Sequence, residues 1–165
     1  MMLSPRLAYQ PIALETLDAF HALVQDQHVR RYLMDGELFP REWSEERVRD
    51  STALFERRGV GLWLARDVAS GAVAGFCGFL EIASIDPEPQ LVYALLERFT
   101  GQGYATEMAR ATIAHARTQP AFTEIVAAVD GVNTASVRVL EKLGFARTGT
   151  VPGAFGDTFI YRLTS

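Results

Sequence analysis

A short run with two glycines, Gly101 to Glu107, constrains the fold more than any other part of the sequence. It follows an apolar, strand-like segment, Leu91 to Leu96, and leads into Met108 to Thr118, which is rich in helix-forming residues. Glycines at such a junction permit a sharp turn and leave backbone N–H groups uncovered at the positive end of the helix dipole. A group of donors of this kind is suited to bind an anion, most often a phosphate. A turn that serves only the backbone geometry is the alternative.

The composition is that of one ordinary globular domain. The chain has 165 residues, of which 48% are hydrophobic and 22% are charged, so it can bury a full core without support from disulfides. Its net charge of -4 argues against a broad surface for nucleic acids or anionic membranes. We therefore expect a single domain over residues 1–165 and no nucleic-acid partner.

Cysteine and histidine residues give no sign of redox or metal chemistry. Cys77 is the single cysteine, which excludes an internal disulfide, and its apolar surroundings predict a small buried hydrophobic residue, with a reactive thiol as the alternative. The three histidines are scattered, and we predict no metal site. No stretch reaches the roughly 18 apolar residues of a membrane span, and the start of the sequence lacks the layout of a signal peptide. These features predict a cytoplasmic protein with no membrane partner.

The hydrophobic patterns predict an α+β domain. The expected order is β, α, α, β, β, β, α, β, α, β, β, in which hairpins flank one strand-turn-helix-strand unit. That order requires a mixed, mostly antiparallel central sheet with helices on both faces. Pro11 places the first strand, Arg6 to Ile12, at an edge of this sheet. Gly75 and Gly78 predict a bulge or close backbone packing in the strand Ala72 to Ile82.

Two further expectations concern the segment before the second strand. Ser44 is a favourable N-cap for the helix that ends at Gly59. The polar loop from Met34 to Pro40 joins two helices and suits the wall of a substrate pocket, with packing in a satellite core as the alternative for its aromatic neighbours. The aromatic residues beside this loop are Tyr32, Phe39 and Trp43.

Four short motifs occur in an order that matches a known family. They are Val92 to Leu95, Gly101 to Glu107, Asn133 to Ser136 and Leu140 to Phe145. Together they resemble the GNAT superfamily of N-acetyltransferases, and the last three resemble its RimJ/RimL-type branch, which acetylates protein N-terminal amines. The start of the chain is similar to that branch in layout, so the resemblance covers essentially the whole sequence. It implies a GNAT-like fold and acetyl-CoA as the cosubstrate, with no metal.

In the family that the chain resembles, acetyl-CoA binds at a turn with the pattern Gln/Arg-x-x-Gly-x-Gly/Ala. Thr100 departs from this pattern, because a glutamine or arginine is usual at the first position. Arg98, two residues earlier, is a candidate for the missing charge, although backbone N–H groups provide most of the donors to a phosphate. The residues that the resemblance implies for cofactor binding at this turn are Thr100, Gly101, Gln102, Gly103, Tyr104, Ala105 and Thr106.

Residues outside the turn are also candidates for the site. The resemblance implies that a backbone N–H near Leu95 polarises the thioester if the strand splays there, and a buried strand residue is the alternative. Ser136 resembles the family's serine that donates a proton to the leaving thiolate, directly or through water, and a local role at the helix end is the alternative. Asn133 resembles the asparagine that binds the cofactor's arm, or else it is an N-cap. Arg138 and Lys142, at i and i+4 on one helix face, either contact CoA phosphates or are solvated charges.

The general base is the open point of the prediction. In the family that the chain resembles, many members have a glutamate at the position of Gln90, and glutamine cannot accept a proton at neutral pH. The base therefore lies elsewhere, or the amine loses its proton to water. Glu81 is the leading substitute, because an acid at the end of an apolar strand favours a raised pKa, and a solvent-facing role is the alternative. The further candidates are Asp86, Glu88 and His28.

The sequence thus predicts an acetyl-CoA-dependent N-acetyltransferase in which an amine attacks directly within a ternary complex. The acceptor is a protein N-terminus or a small-molecule amine. A non-catalytic acyl-CoA-binding sensor is the alternative, and Gln90 is the feature that favours it. Both a monomer and a homodimer are compatible with the sequence. The negative charge of four acidic residues favours a cationic small molecule as the acceptor. These residues are Asp35, Glu37, Asp86 and Glu88.

Overall fold

Seven strands and five α-helices form the computed structural model within residues 2–33, 37–153 and 156–164, which are the residues that the structure describes. The strands are β1 Leu7–Pro11, β2 Leu62–Asp67, β3 Val73–Leu80, β4 Gln90–Leu95, β5 Glu124–Asp130, β6 Ala146–Gly153 and β7 Gly156–Thr164. The helices are α1 Leu17–Gln25, α2 Gln27–Leu33, α3 Arg41–Arg58, α4 Tyr104–Ala116 and α5 Thr134–Lys142.

The seven strands form one mixed sheet in the order β1-β2-β3-β4-β5-β7-β6. Five neighbouring pairs are antiparallel, and β4 with β5 is parallel because α4 crosses over between them. The α+β class and the mostly antiparallel sheet are therefore confirmed. β1, which carries Pro11, lies at an edge as predicted.

Helices cover both faces of the sheet, because side chains on a strand alternate between the faces. On β4, Val92 and Ala94 pack in a cluster with residues of α1, α2 and α3. Leu91 and Leu95 belong to a second cluster that contains buried residues of α4 and α5, and Tyr93 packs against this cluster. The side chain of Tyr93 therefore points to the face on which α4 and α5 lie.

The strands β3 and β4 approach so closely that a side chain at Gly75 would not fit. A Cβ atom at this position would lie 1.9 Å from the backbone oxygen of Ala94. The register between β2 and β3 also shifts next to Gly75, opposite Ala65 and Arg66. Both the bulge and the close packing predicted for this strand are confirmed.

Two predictions about the helical segment were wrong. Ser44 is not an N-cap, because α3 begins earlier, at Arg41, after the extended residue Pro40. The buried Ser44 hydroxyl instead lies 2.7 Å from the Nδ1 atom of His21 on α1. Among the described residues there is also one helix more than predicted, since the extended residue Asp26 ends α1 and its carboxylate accepts from N–H groups in the first turn of α2.

The predicted pocket loop is only partly within the described residues. Met34 to Gly36, including Asp35, lie outside them, as does the side chain of Tyr32. Of the other two aromatic residues, Phe39 stacks on Trp43 with 4.8 Å between ring centroids. No described helix is both long and apolar enough to cross a lipid bilayer.

Candidate active site

The strands β4 and β5 separate along their length and leave a gap in the sheet. They pair only at Gln90 with Val126 and at Leu91 with Ala127, although β4 continues to Leu95. Beyond β4, the N–H of Leu96 donates to Ala74 of β3, at 2.9 Å. Because the backbone groups of successive strand residues point in opposite directions, the N–H of Leu95 points away from β3 and into the gap. The splay on which the proposed role of Leu95 depends is therefore present.

The glycine turn lies beside this gap, at the start of α4. Gly101 has φ of 72° and Gly103 has φ of 83°, a left-handed conformation that glycine adopts at little cost. Among the described residues, none accepts a hydrogen bond from the six N–H groups of residues 101–106, whereas the next N–H, of Glu107, donates to the oxygen of Gly103. These unpartnered donors at a helix start suit the diphosphate of CoA.

Side chains within the turn fold back onto its own backbone. The Thr100 hydroxyl donates to the oxygen of Glu97, at 2.6 Å, and the Gln102 amide donates to the oxygen of Arg98, at 2.9 Å. The Arg98 guanidinium lies over the ring of Phe99, 4.9 Å from its centroid. Thr100 and Gln102 thus shape the turn by tying it to the preceding residues.

Arg6, which the sequence analysis did not assign to the site, holds the turn from the side. Its NH1 group donates to the oxygen of Gln102, at 2.9 Å, and its Nε group donates to the Glu107 carboxylate, at 2.8 Å. The guanidinium also stacks on the Tyr104 ring, 3.9 Å from the centroid. Because the C=O and N–H of a trans peptide point in opposite directions, fixing the Gln102 oxygen also fixes the N–H of Gly103. Arg6 therefore orients one of the donors of the turn.

Two carboxylates anchor this arrangement. Burial raises the pKa of Glu107, but hydrogen bonds from the Ser4 hydroxyl and from the backbone and side chain of Arg6 outweigh it and hold the pKa below its usual value. The pKa of Asp67 is also lowered, chiefly by hydrogen bonds from Ser70, and Asp67 accepts from the Tyr104 hydroxyl at 3.2 Å. Both carboxyl groups are thus held as anions.

The start of α5 brings Asn133, Ser136 and Tyr93 together across the gap. The Asn133 side chain accepts from the N–H of Ser136, at 3.2 Å, so Asn133 is the N-cap of α5. The Ser136 hydroxyl lies 2.7 Å from the hydroxyl of Tyr93. Burial raises the pKa of Tyr93 to about 12. Tyr93 is not among the predicted site residues, because the alternation of side chains on a strand predicts which face a tyrosine lies on but not its hydrogen-bond partner.

Gln90 and the acidic residues considered for the general base lie at or near the opposite end of β4, whereas His28 lies on α2. Gln90 is 1% exposed, and its side chain accepts from the N–H of Ile82, at 3.0 Å, and donates to the oxygens of Asp86 and Glu88. Gln90 thus holds the β3–β4 loop. The Glu81 side chain is 45% exposed and pairs with Arg57 at 2.5 Å, so the burial that its predicted role required is absent.

The other acidic residues of the β3–β4 loop are also paired with arginines. Glu88 contacts Arg58 at 3.0 Å, and Asp86 contacts Arg162. Arg162 also binds Glu124 of β5, at 2.5 Å. The acidic groups of this loop are therefore neutralised by neighbouring cations.

The two basic candidates on α5 are exposed and lie at different distances from the turn. Arg138 follows Ser136 by about half a helical turn. Lys142 lies at the far end of α5, about 13 Å along the helix from Asn133. There it lines an open groove of about 260 Å³ between α4 and α5, together with Arg110 and Arg117. The structure thus brings Leu95, the turn, Asn133 and Ser136 to the C-terminal ends of β4 and β5, in the middle of the sheet, whereas Lys142, Glu81 and Gln90 lie away from it.

A family model for the acetyltransferase (GNAT) domain matches residues 6–146. The chain belongs to the GNAT acetyltransferases. Within this family it is of the RimJ/RimL type. This GNAT chain is 33% identical to the uncharacterized protein YkkB of Bacillus subtilis (strain 168) over 113 aligned residues. The aligned residues make up 67% of this chain and 63% of YkkB. The match thus spans just under two thirds of that relative's length.

Solved structures share the GNAT fold over nearly the whole chain. An acetyltransferase from Agrobacterium tumefaciens str. C58 superposes with a TM-score of 0.81 at 21% identity and covers 99% of this chain and 93% of its own. RimL, a ribosomal L7/L12 alpha-N-protein acetyltransferase in complex with coenzyme A, gives 0.80 at 22% identity, with 98% and 95% covered. AAC(6')-Ib in complex with parmomycin and acetyl-CoA gives 0.77 at 18% identity, with 96% and 93% covered.

Proposed function

We propose that this GNAT protein transfers the acetyl group of acetyl-CoA to a primary amine by direct attack in a ternary complex. The observation that carries this proposal is the meeting of the β4–β5 gap, the unpartnered N–H groups of residues 101–106 and the Ser136 hydroxyl at the C-terminal ends of β4 and β5. The turn offers donors to the CoA diphosphate, and the gap offers a channel for the pantetheine arm.

The chain's own groups meet the chemical needs of acetyl transfer. The N–H of Leu95, directed into the gap, is placed to polarise the thioester carbonyl and to stabilise the oxyanion. As the N–C bond forms and the C–S bond breaks, the electron pair of the C–S bond goes to sulfur. The hydroxyl of Ser136 passes a proton to sulfur, and the proton lost by the amine nitrogen restores the serine through water. The Asn133 side chain keeps the start of α5 in place for this step.

The ion pairs of the β3–β4 loop favour an acceptor that is already neutral. Glu81, Asp86 and Glu88 are each paired with an arginine, and Gln90 cannot take a proton. An α-amine has a pKa of about 8 and is half neutral at pH 8, whereas fewer than about 1% of lysine-type amines, with a pKa of about 10.4, are neutral there. We therefore propose an α-amine, as at a protein N-terminus, as the acceptor class.

The similar structures include proteins with different acceptors, so the fold does not choose between them. RimL is described as an alpha-N-protein acetyltransferase, and AAC(6')-Ib was solved with parmomycin. Asp86 and Glu88, which favoured a cationic small molecule in the sequence, are neutralised by Arg162 and Arg58. The local charge thus supports the N-terminal acceptor.

The test measures release of free CoA from acetyl-CoA in the presence of matched amines. We expect turnover with peptides that have a free N-terminus and no turnover with the same peptides blocked at the N-terminus but carrying a free lysine. An aminoglycoside and a polyamine complete the panel. Turnover only with the last two would overturn the acceptor class, and no turnover with any amine would overturn the transferase.

A sensor that binds acyl-CoA without turnover is the second candidate, and the use of Gln90 as a structural residue favours it. Thermal unfolding with and without acetyl-CoA separates the outcomes. Both candidates predict that saturating acetyl-CoA raises Tm by about 5 °C or more. Stabilisation without any CoA release would support the sensor, and a lack of stabilisation would contradict both candidates.

A further inference from the structure

A hydrogen bond between two hydroxyl groups joins β4 to the start of α5. The Tyr93 hydroxyl lies 2.7 Å from the Ser136 Oγ atom and 3.4 Å from the Ser136 backbone oxygen. Tyr93 is two residues before Leu95 on β4, a distance of about 7 Å along the strand. The phenol thus links the strand that carries Leu95 to Ser136, the residue proposed above to protonate the leaving sulfur.

We propose that Tyr93 is a positioning residue that donates its hydrogen bond to Ser136 and so directs the serine hydrogen towards the sulfur of the cosubstrate. This inference rests on the proposed transferase function. A serine oxygen that accepts from Tyr93 keeps its own hydrogen available for a second acceptor. The thiolate that forms as the C–S bond breaks is the strongest acceptor in that place.

The environment of Tyr93 leaves it the hydrogen that this bond requires. Burial raises the pKa of Tyr93 to about 12, so the phenol is protonated at the pH values used below. Both oxygens of Ser136 lie within reach as acceptors for that single hydrogen. While Ser136 passes its proton to sulfur, the Tyr93 O–H stabilises the negative charge that develops on the serine oxygen. Tyr93 itself transfers no proton in this scheme.

The kinetic test is a double-mutant cycle with Tyr93→Phe and Ser136→Ala. We expect Tyr93→Phe to lower kcat about tenfold and to leave KM for acetyl-CoA unchanged, because the hydroxyl acts in the step that releases sulfur. In the Ser136→Ala background, Tyr93→Phe should have no further effect on kcat. Equal reductions in both backgrounds, or an unchanged kcat in the single variant, would overturn the proposal.

A matched control removes a similar hydrogen bond elsewhere. Ser51 of α3 is buried, and its hydroxyl accepts from the N–H of Leu62, at 2.8 Å. Ser51→Ala should leave kcat unchanged if the effect at Tyr93 is specific. The stoichiometry of acetyl-CoA binding counts folded molecules in each variant, so that kcat per binding site separates misfolding from loss of positioning.

A binding measurement tests the same proposal without turnover. Calorimetry at pH 9 compares CoA with desulfo-CoA, which lacks the sulfur atom. We expect the wild type to bind CoA at least threefold more tightly, and both Tyr93→Phe and Ser136→Ala to abolish this preference. If Tyr93→Phe still binds CoA more tightly than desulfo-CoA, the role of Tyr93 is overturned and the transferase proposal is untouched. If the wild type releases no CoA in the turnover assay, the transferase function is overturned and this inference with it.

Discussion

Gln90, a candidate for the catalytic site in the sequence, has a structural use in the β3–β4 loop. Its amide group has one acceptor and two donors, and all three are used by the backbone of residues 82–88. A carboxylate has acceptors only, so it cannot replace the two donated bonds. The glutamine is therefore matched to the conformation of the β3–β4 loop.

We expect Gln90→Glu to lower the free energy of unfolding by about 2 kcal/mol at pH 8 and to give no gain in acetyl transfer. A buried glutamate facing two carbonyl oxygens has a raised pKa, because only its protonated form can donate. The loss of stability should therefore be small below about pH 4.5 and grow as the pH rises. Urea unfolding at pH 5 and pH 8 measures it.

The control for this substitution is Gln27→Glu at the exposed start of α2, where the free energy of unfolding should change by less than about 0.5 kcal/mol. A Gln90→Glu protein as stable as the wild type at pH 8 would show that the three bonds do not hold the loop. A gain in kcat would show that the missing base was the limiting feature.

At the scale of elements, the start of β1 and the first turn of α4 form one unit. Arg6 and Ser4 bind Glu107, and Arg6 also binds the oxygen of Gln102 within the glycine turn. The carboxylate of Glu107 accepts bonds from both residues and is mostly buried. Loss of its charge should therefore weaken both the fold and the cofactor turn.

We expect the free energy of unfolding to depend on the ionisation of Glu107. Its folded pKa is lower than its ordinary value of 4.5, so the stabilisation is complete above about pH 5 and is lost as the pH falls below 4.5. Glu107→Gln should lower stability by about 1 to 2 kcal/mol at pH 7 and make stability less sensitive to acid. Chemical denaturation at several pH values between 3 and 7 measures both effects.

Glu97→Gln serves as the control, since Glu97 is exposed just before the turn. Isothermal titration with acetyl-CoA should give a weaker affinity for Glu107→Gln than for Glu97→Gln. Equal acid sensitivity in the wild type and in Glu107→Gln would contradict the role given to this carboxylate.

The sequence predicted features that depend on neighbouring residues, and it did not predict contacts between residues that are far apart in the chain. The glycine turn, the N-cap at Asn133 and the edge position of Pro11 follow from neighbouring residues and backbone chemistry. Arg6 contacts the turn across 96 residues, and Tyr93 contacts Ser136 across 43, and no periodicity encodes such pairs. The start of α3 was predicted wrongly at Ser44, because the Ser44 hydroxyl forms a hydrogen bond with His21 and does not cap the helix.

For the molecule as a whole, the reactivity of the Cys77 thiol is a measure of how often the central sheet opens. It lies on β3, near the centre of the strand order, and is fully buried. Burial raises the pKa of its thiol to about 12, so the reactive thiolate is scarce in the folded protein. Labelling of Cys77 should therefore require unfolding of the central strands.

We expect a disulfide reagent to label Cys77 quickly in denaturant and very slowly in the native protein. At about 100 times its Kd, acetyl-CoA should slow native labelling about 100-fold, because binding lowers the open population by that factor. An exposed thiol introduced by Ser84→Cys in a Cys77→Ser background should react at once with or without acetyl-CoA. Rapid labelling of native Cys77 would show that β3 opens locally.

The tie between Arg6 and the glycine turn also bears on how the chain folds. The N–H of Arg6 donates to Glu107 across 101 residues, so this contact closes a loop of more than half the chain. Closing such a loop costs conformational entropy before the contact contributes any stabilising energy, so contacts of this span slow folding. The turn can form its local bends early, but its final shape awaits the docking of β1. Competence to bind acetyl-CoA should thus be among the last properties to return on refolding, after the helices have formed.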